Sequence, residues 1–109
     1  MQDNSSEALV RVLTIQNIKG LHARAAAKFV KVVGAYDAEV KVTREKSSCH
    51  AQLFGDGEEY WAASGGSVLG ILTLGAEKGQ PIRVEATGNQ AGEVLDALQD
   101  LIDRKFDEE

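Results

Sequence analysis

Ala38-Glu39-Val40-Lys41-Val42-Thr43-Arg44 and, further along, Pro81-Ile82-Arg83-Val84-Glu85-Ala86-Thr87 decide the fold. In both, apolar side chains at every second position alternate with charged or hydroxyl-bearing ones, the period of a strand with one face buried and one in water. A parallel sheet covered on both faces would read as continuous apolar runs instead. The chain therefore carries one half-buried sheet, and the expected class is a two-layer α+β sandwich.

Working outward, Leu9 to Gln16 is β-branched enough for a first strand. After the loop Asn17-Ile18-Lys19-Gly20, the apolar residues Ala26, Phe29, Val30 and Val33 recur at i, i+3, i+4, i+7, which predicts an amphipathic helix, with Gly34 as its stop. Gly55-Asp56-Gly57 is a hairpin turn signal, and Tyr60-Trp61-Ala62-Ala63 forms the returning strand. Val68-Leu69-Gly70-Ile71-Leu72-Thr73-Leu74 reads as a short apolar helix capped by Ser67 and stopped by Gly75. The last helix follows from Ala91, Val94, Leu95, Leu98, Leu101 and Ile102, with Asn89 as its expected cap. The order is β-α-β-β-α-β-α, and the long helices need one apolar sheet face to cover.

A length of 109 residues fits one domain. We place it at 8–106, with a disordered tail at 1–7, an insertion at about 45–60 and a short tail at 107–109. Seventeen acidic against twelve basic residues give a formal charge of −5, which argues against a nucleic-acid partner. No apolar run is long enough to span a bilayer, the start lacks a secretory signal, and one cysteine, Cys49, excludes an internal disulfide. The expected setting is the cytoplasm, with no membrane partner. His50 beside Cys49 makes a poor metal site, so no metal is expected, and no nucleotide-binding loop calls for a cofactor.

The chemistry concentrates at Gly20-Leu21-His22-Ala23-Arg24-Ala25-Ala26-Ala27, where an imidazole stands at the start of a helix. Free N–H groups of the first turn, the positive end of the macrodipole and the Arg24 guanidinium all favour an anion there. The same dipole disfavours imidazolium by about 0.3–1 kcal/mol, so His22 is expected to be neutral and nucleophilic near neutral pH. These residues suggest reversible phosphorylation of His22, with Arg24 steadying the phosphoryl group and another protein supplying it.

Three segments together resemble the HPr family, the phosphocarriers of the phosphoenolpyruvate-dependent phosphotransferase system. They are Gly20-Leu21-His22-Ala23-Arg24 with Ala26-Ala27-Lys28-Phe29-Val30, then Gly66-Ser67-Val68-Leu69-Gly70-Ile71-Leu72-Thr73-Leu74-Gly75-Ala76, then Gly79-Gln80-Pro81-Ile82-Arg83-Val84 through Gly88. The resemblance implies an open-faced sandwich with an antiparallel four-stranded sheet in the order 1-4-2-3 and three helices on one face. It implies that His22 takes a phosphoryl group on Nδ1 from phosphorylated enzyme I and passes it to an EIIA-type protein. It implies Ser67 as a site for HPr kinase/phosphorylase, and Leu21, Ala25, Val68, Leu69 and Leu72 as partner-docking residues on a monomer.

Two departures stand out. Ala25 replaces the family's usual proline, and the segment before Ser67 is longer by about a dozen residues, bringing in Phe54, Tyr60 and Trp61 as a hairpin extension or contact surface. The competing readings are a non-phosphorylated regulatory module using the same docking surface, and an α+β interaction domain with an accidental motif.

Overall fold

The computed structural model describes residues 8–45 and 60–108. The expected tail at 1–7, Cys49, His50, the Gly55-Asp56-Gly57 turn and nearly all of the insertion lie outside the described residues, as do the side chains of Tyr60 and Trp61.

The elements are β1 (Leu9–Thr14), α1 (Ala23–Gly34), β2 (Glu39–Glu45), β3 (Tyr60–Ser64), α2 (Val68–Leu74), β4 (Pro81–Thr87) and α3 (Ala91–Asp103), followed by a 3-10 turn at Lys105–Asp107. The strands form one antiparallel sheet in the order β1-β4-β2-β3. Its register follows the alternation of β2 and β4: Val42 pairs with Val84 and Val40 with Ala86, so all four residues face the same side. Leu13 joins them from β1 opposite Ile82. Against this surface pack Phe29 of α1, Ile71 and Leu74 of α2, and Val94, Leu98 and Ile102 of α3, all buried. Val10 and Val12 of β1, which pair with Glu85 and Arg83, are exposed on the opposite face. Helices thus cover one side of the sheet, and α1 touches both α2 and α3.

The sequence places most boundaries within a residue or two. Gly34 is the last residue of α1 rather than its stop, and Ala35 takes the C-cap in right-handed geometry. Asn89 does not cap α3: Gln90 holds that position without a side-chain cap bond, while Asn89 Nδ2 donates to Asp37 Oδ2 at 2.9 Å. Its partner is therefore the turn before β2. Gly65, between β3 and α2, sits so close to β2 that a Cβ there would lie 2.5 Å from Val40 Cγ1, while its N–H donates to Val40 O at 2.7 Å. A side chain at 65 would force the turn into α2 off the sheet.

Of the expected tail at 107–109, Asp107 and Glu108 are described, and both belong to a turn. Residues 104–108 close into a turn with bonds from Asp107 N to Arg104 O (2.9 Å) and from Glu108 N to Lys105 O (3.0 Å). Lys105, Phe106 and Asp107 all lie in the left-handed region, with φ of 57°, 55° and 61°. That conformation costs roughly 1–2 kcal/mol per non-glycine residue. The Phe106 ring, fully buried in the core, supplies about 1.5–3 kcal/mol toward offsetting it.

Candidate functional site

The loop before α1 is shaped by Gly20, whose φ of +66° is open to glycine at no steric cost. A Cβ at this position would stand 2.5 Å from Ala76 O. The next amide, Leu21 N–H, donates to that same oxygen at 2.9 Å. The entry to α1 is thereby tied to the segment leaving α2, which fixes where His22 begins the helix.

His22 is the N-cap of α1, in extended backbone geometry, and its side chain is 28% exposed. The first helical bond of α1 runs from Ala26 N to His22 O at 2.8 Å, so the amides of Ala23, Arg24 and Ala25 precede the ladder. Arg24 N–H reaches His22 Nδ1 at 3.4 Å, the long end of hydrogen-bond range. The Arg24 side chain is exposed, with no ion pair among the described residues.

The other ring nitrogen, Nε2, meets the carboxylate oxygen Oε2 of Glu108, whose side chain is 11% exposed. Glu108 Oε1 accepts from Asn17 Nδ2 at 3.0 Å, and the same Nδ2 donates to Gly20 O at 2.8 Å. Asn17 is fully buried, and its Oδ1 finds no partner among the described residues. Leaving such an oxygen unpaired costs on the order of 1–3 kcal/mol, a cost accepted where the amide holds both the loop and the carboxylate in place. A second tether, Lys28 Nζ donating to Phe106 O at 2.6 Å, joins α1 to the same turn.

Burial works against the charge on Glu108. The hydrogen bonds from Asn17 and His22, with the positive charge of Lys19, outweigh that and hold the carboxyl below its ordinary range. An ionised carboxylate can only accept, so Nε2 donates to it, while Nδ1, which accepts from Arg24 N–H, presents its lone pair to the helix. The Nδ1 side of the ring thus faces the first-turn amides of α1.

The structure divides the expected docking residues. Leu21 and Ala25 are buried in the core, which corrects their assignment to a contact surface. Leu21 points inward because its amide is drawn to Ala76, and Ala25 lies on the same helix stripe as Ala26, Phe29 and Val33. In α2, Leu69 is 72% exposed and Val68 is exposed, whereas Leu72 is half-buried against the core. Ile18, 69% exposed in the loop before His22, was missed because an isolated apolar loop residue has no periodic signature. Ser67 caps α2, its Oγ accepting from Gly70 N at 3.0 Å.

Asn17 and Glu108 were also missed. They lie 91 residues apart, and neither belongs to a repeating pattern. Among the described residues no three His, Cys, Asp or Glu side chains gather in a way that could hold a metal ion. Likewise, no helix among the described residues is long and apolar enough to cross a membrane.

The family described as "PTS HPr component phosphorylation site" matches residues 9–104. The phosphocarrier protein HPr of Pseudomonas aeruginosa is 41% identical over 96 residues, covering 88% of this chain and 92% of that protein. The phosphocarrier protein NPr of Escherichia coli strain K12 is 35% identical over 99 residues, covering 91% and 96% respectively. The crystal structure of HPr-C-His from Thermoanaerobacter tengcongensis superposes with a TM-score of 0.73 at 33% identity, covering 93% of this chain and 98% of that one.

Proposed function

The chain belongs to the HPr family of histidine phosphocarriers, which relay a phosphoryl group from enzyme I to an EIIA-type protein, and we propose that in this chain the group rides on Nδ1 of His22. The observation that carries this assignment is the arrangement of the ring: Nε2 is engaged by Glu108, and Nδ1 faces the first turn of α1 across a long, weak contact. An incoming phosphorus replaces that contact at small cost. The amides of Ala23, Arg24 and Ala25, with the positive helix end, then meet the phosphoryl oxygens. Arg24 is free to fold over the dianion and form charge-assisted hydrogen bonds with it.

Binding must remain moderate, since a carrier has to release what it accepts. The site meets that demand with a few amides and one exposed guanidinium rather than an enclosed pocket. Chemistry is shared with the partner proteins, so the protein itself is carrier and not catalyst. We place it in the cytoplasm as a monomer, contacting enzyme I and EIIA in turn through Val68, Leu69 and the exposed edge of Leu72, with Ile18 in the loop that leads into His22.

Incubation with enzyme I and labelled phosphoenolpyruvate tests the assignment. The expected result is acid-labile label on the wild type and none on His22→Ala; equal labelling of both proteins would move the acceptor elsewhere. Which EIIA-type protein discharges the label then identifies the sugar or the nitrogen-related branch.

Ser67 is proposed as a regulatory site on the strength of its position at the exposed head of α2. Its phosphorylation would add about −1.5 to −2 charges next to Val68 and Leu69. Treatment with HPr kinase/phosphorylase and ATP should label the wild type and not Ser67→Ala; labelling of both, or of neither, would discard this role.

A further inference from the structure

Glu108 contributes no atom to the expected phosphoryl site, yet four separate contacts bring its carboxylate to the back of the His22 ring. Phe106 is fully buried beside it, Lys28 holds the Phe106 carbonyl, Asn17 donates to Oε1, and the ring itself meets Oε2. The backbone that reaches this position passes through three successive left-handed residues. So unfavourable a path points to a demand on where Glu108 must lie.

Resting on the assignment of the phosphoryl group to His22 Nδ1, we propose that Glu108 is a positioning residue for phosphoryl transfer: it keeps the proton on Nε2 throughout the cycle and so keeps the Nδ1–P bond labile. During loading, the Nδ1 lone pair forms a bond to phosphorus as the donor's bond to phosphorus breaks, that electron pair returning to the donor. No proton enters or leaves His22. The ring becomes a phosphorylated imidazolium, still carrying the proton on Nε2, and its positive charge faces the Glu108 carboxylate. During unloading, the Nδ1–P pair returns to the ring, and the group that departs is neutral imidazole.

If the Nε2 proton were lost while phosphate was bound, the departing group would be imidazolate, a far poorer leaving group. A carboxylate behind the ring prevents that loss, as the aspartate of a serine-protease triad stabilises its imidazolium. Of the other charged groups on these elements, Lys19 in the loop before α1 acts on Glu108, Lys28 lies on α1, and Asp107 in the turn pairs with Arg104. Lys28 is engaged with Phe106 O, and Lys19 helps keep Glu108 ionised. Only the Glu108 carboxylate contacts Nε2 among the described residues.

The test is Glu108→Gln, which keeps the shape and one acceptor oxygen but removes the charge, with Glu108→Asp as the charge-retaining variant. Each protein is phosphorylated with enzyme I and phosphoenolpyruvate. Nitrogen NMR then follows the pH at which the phosphorylated ring loses its Nε2 proton, and transfer to EIIA is timed at pH 6 and pH 8. An opposite charge in contact shifts such a midpoint by about 1–3 units, so Glu108→Gln is expected to lower it by about one unit or more. Transfer at pH 8 should slow roughly tenfold relative to wild type, with a smaller loss at pH 6 and partial recovery in Glu108→Asp. An unchanged midpoint in a protein labelled on His22 would overturn the role of Glu108 alone. Label that survives His22→Ala would overturn the acceptor assignment instead, so the two failures are distinguishable.

Discussion

His22 and Ser67 occupy the same position in two helices, each an N-cap in extended geometry whose side chain accepts a hydrogen bond from the first turn. Ser67 does this well: its Oγ lies 3.0 Å from Gly70 N, and a serine at this position satisfies an amide three residues on. His22 does it poorly, with Nδ1 3.4 Å from Arg24 N. The shortfall is made up from outside the helix, by Glu108 on the far nitrogen. A cap that binds its own helix tightly is a structural residue with a hydroxyl to spare, whereas one held from behind leaves its front nitrogen available. The difference between stability and chemistry is thus already present in how the two helices begin.

The two caps should differ most in what their removal costs. His22→Ala should abolish acid-labile labelling while Ser67→Ala retains it, measured side by side with enzyme I and phosphoenolpyruvate; loss of label in Ser67→Ala with the fold intact would erase the distinction. In stability the order should reverse in character. Ser67→Ala is expected to cost about 0.5–2 kcal/mol in denaturant unfolding, the usual effect of removing a side-chain cap, and a neutral result would mean that the bond to Gly70 contributes nothing.

A pH series sharpens the His22 side. Because the Glu108 carboxyl is held below its ordinary value of 4.5 in the folded protein, its contribution to stability is present above that value and lost as pH falls through the lower folded value. The stability gap between wild type and Glu108→Gln should therefore be full at neutral pH and close in acid. A gap independent of pH would show that the charge of Glu108 does not support the fold. The smallest expected effect is at Lys105. Placing glycine there relieves one left-handed residue, and the loss of the lysine's own contacts opposes that gain, so Lys105→Gly should change stability by less than about 1 kcal/mol in the same unfolding experiment.

Much of this was legible in the linear chain, for identifiable reasons. The alternation of Val40 and Val42 with Lys41 and Thr43, and of Ile82, Val84 and Ala86 with Arg83 and Glu85, carries the sheet because burial on one face imposes a period of two. His22 was visible because a helix start has a local signature. Leu21 and Ala25 were misassigned because apolar residues flanking a reactive group suit a contact surface and a core equally well; only the pull of Ala76 O on the Leu21 amide and the rotation of α1 decide between them. Glu108 could not be seen at all. Its partner lies 86 residues earlier, and the turn that delivers it depends on left-handed geometry that propensity does not favour at Lys105 and Phe106.

That turn has a consequence for motion. Its backbone does not prefer the shape it adopts, and it is restrained by one buried aromatic ring, a lysine across the carbonyl and the bonds of Asn17 and His22 to Glu108. Local opening should therefore begin here, with the amides of Asp107 and Glu108 exchanging with deuterium well before those of β4. Each such opening withdraws the carboxylate from the imidazole and returns it on reclosing, so the carrier alternates between a braced and an unbraced ring while the sheet beneath stays intact.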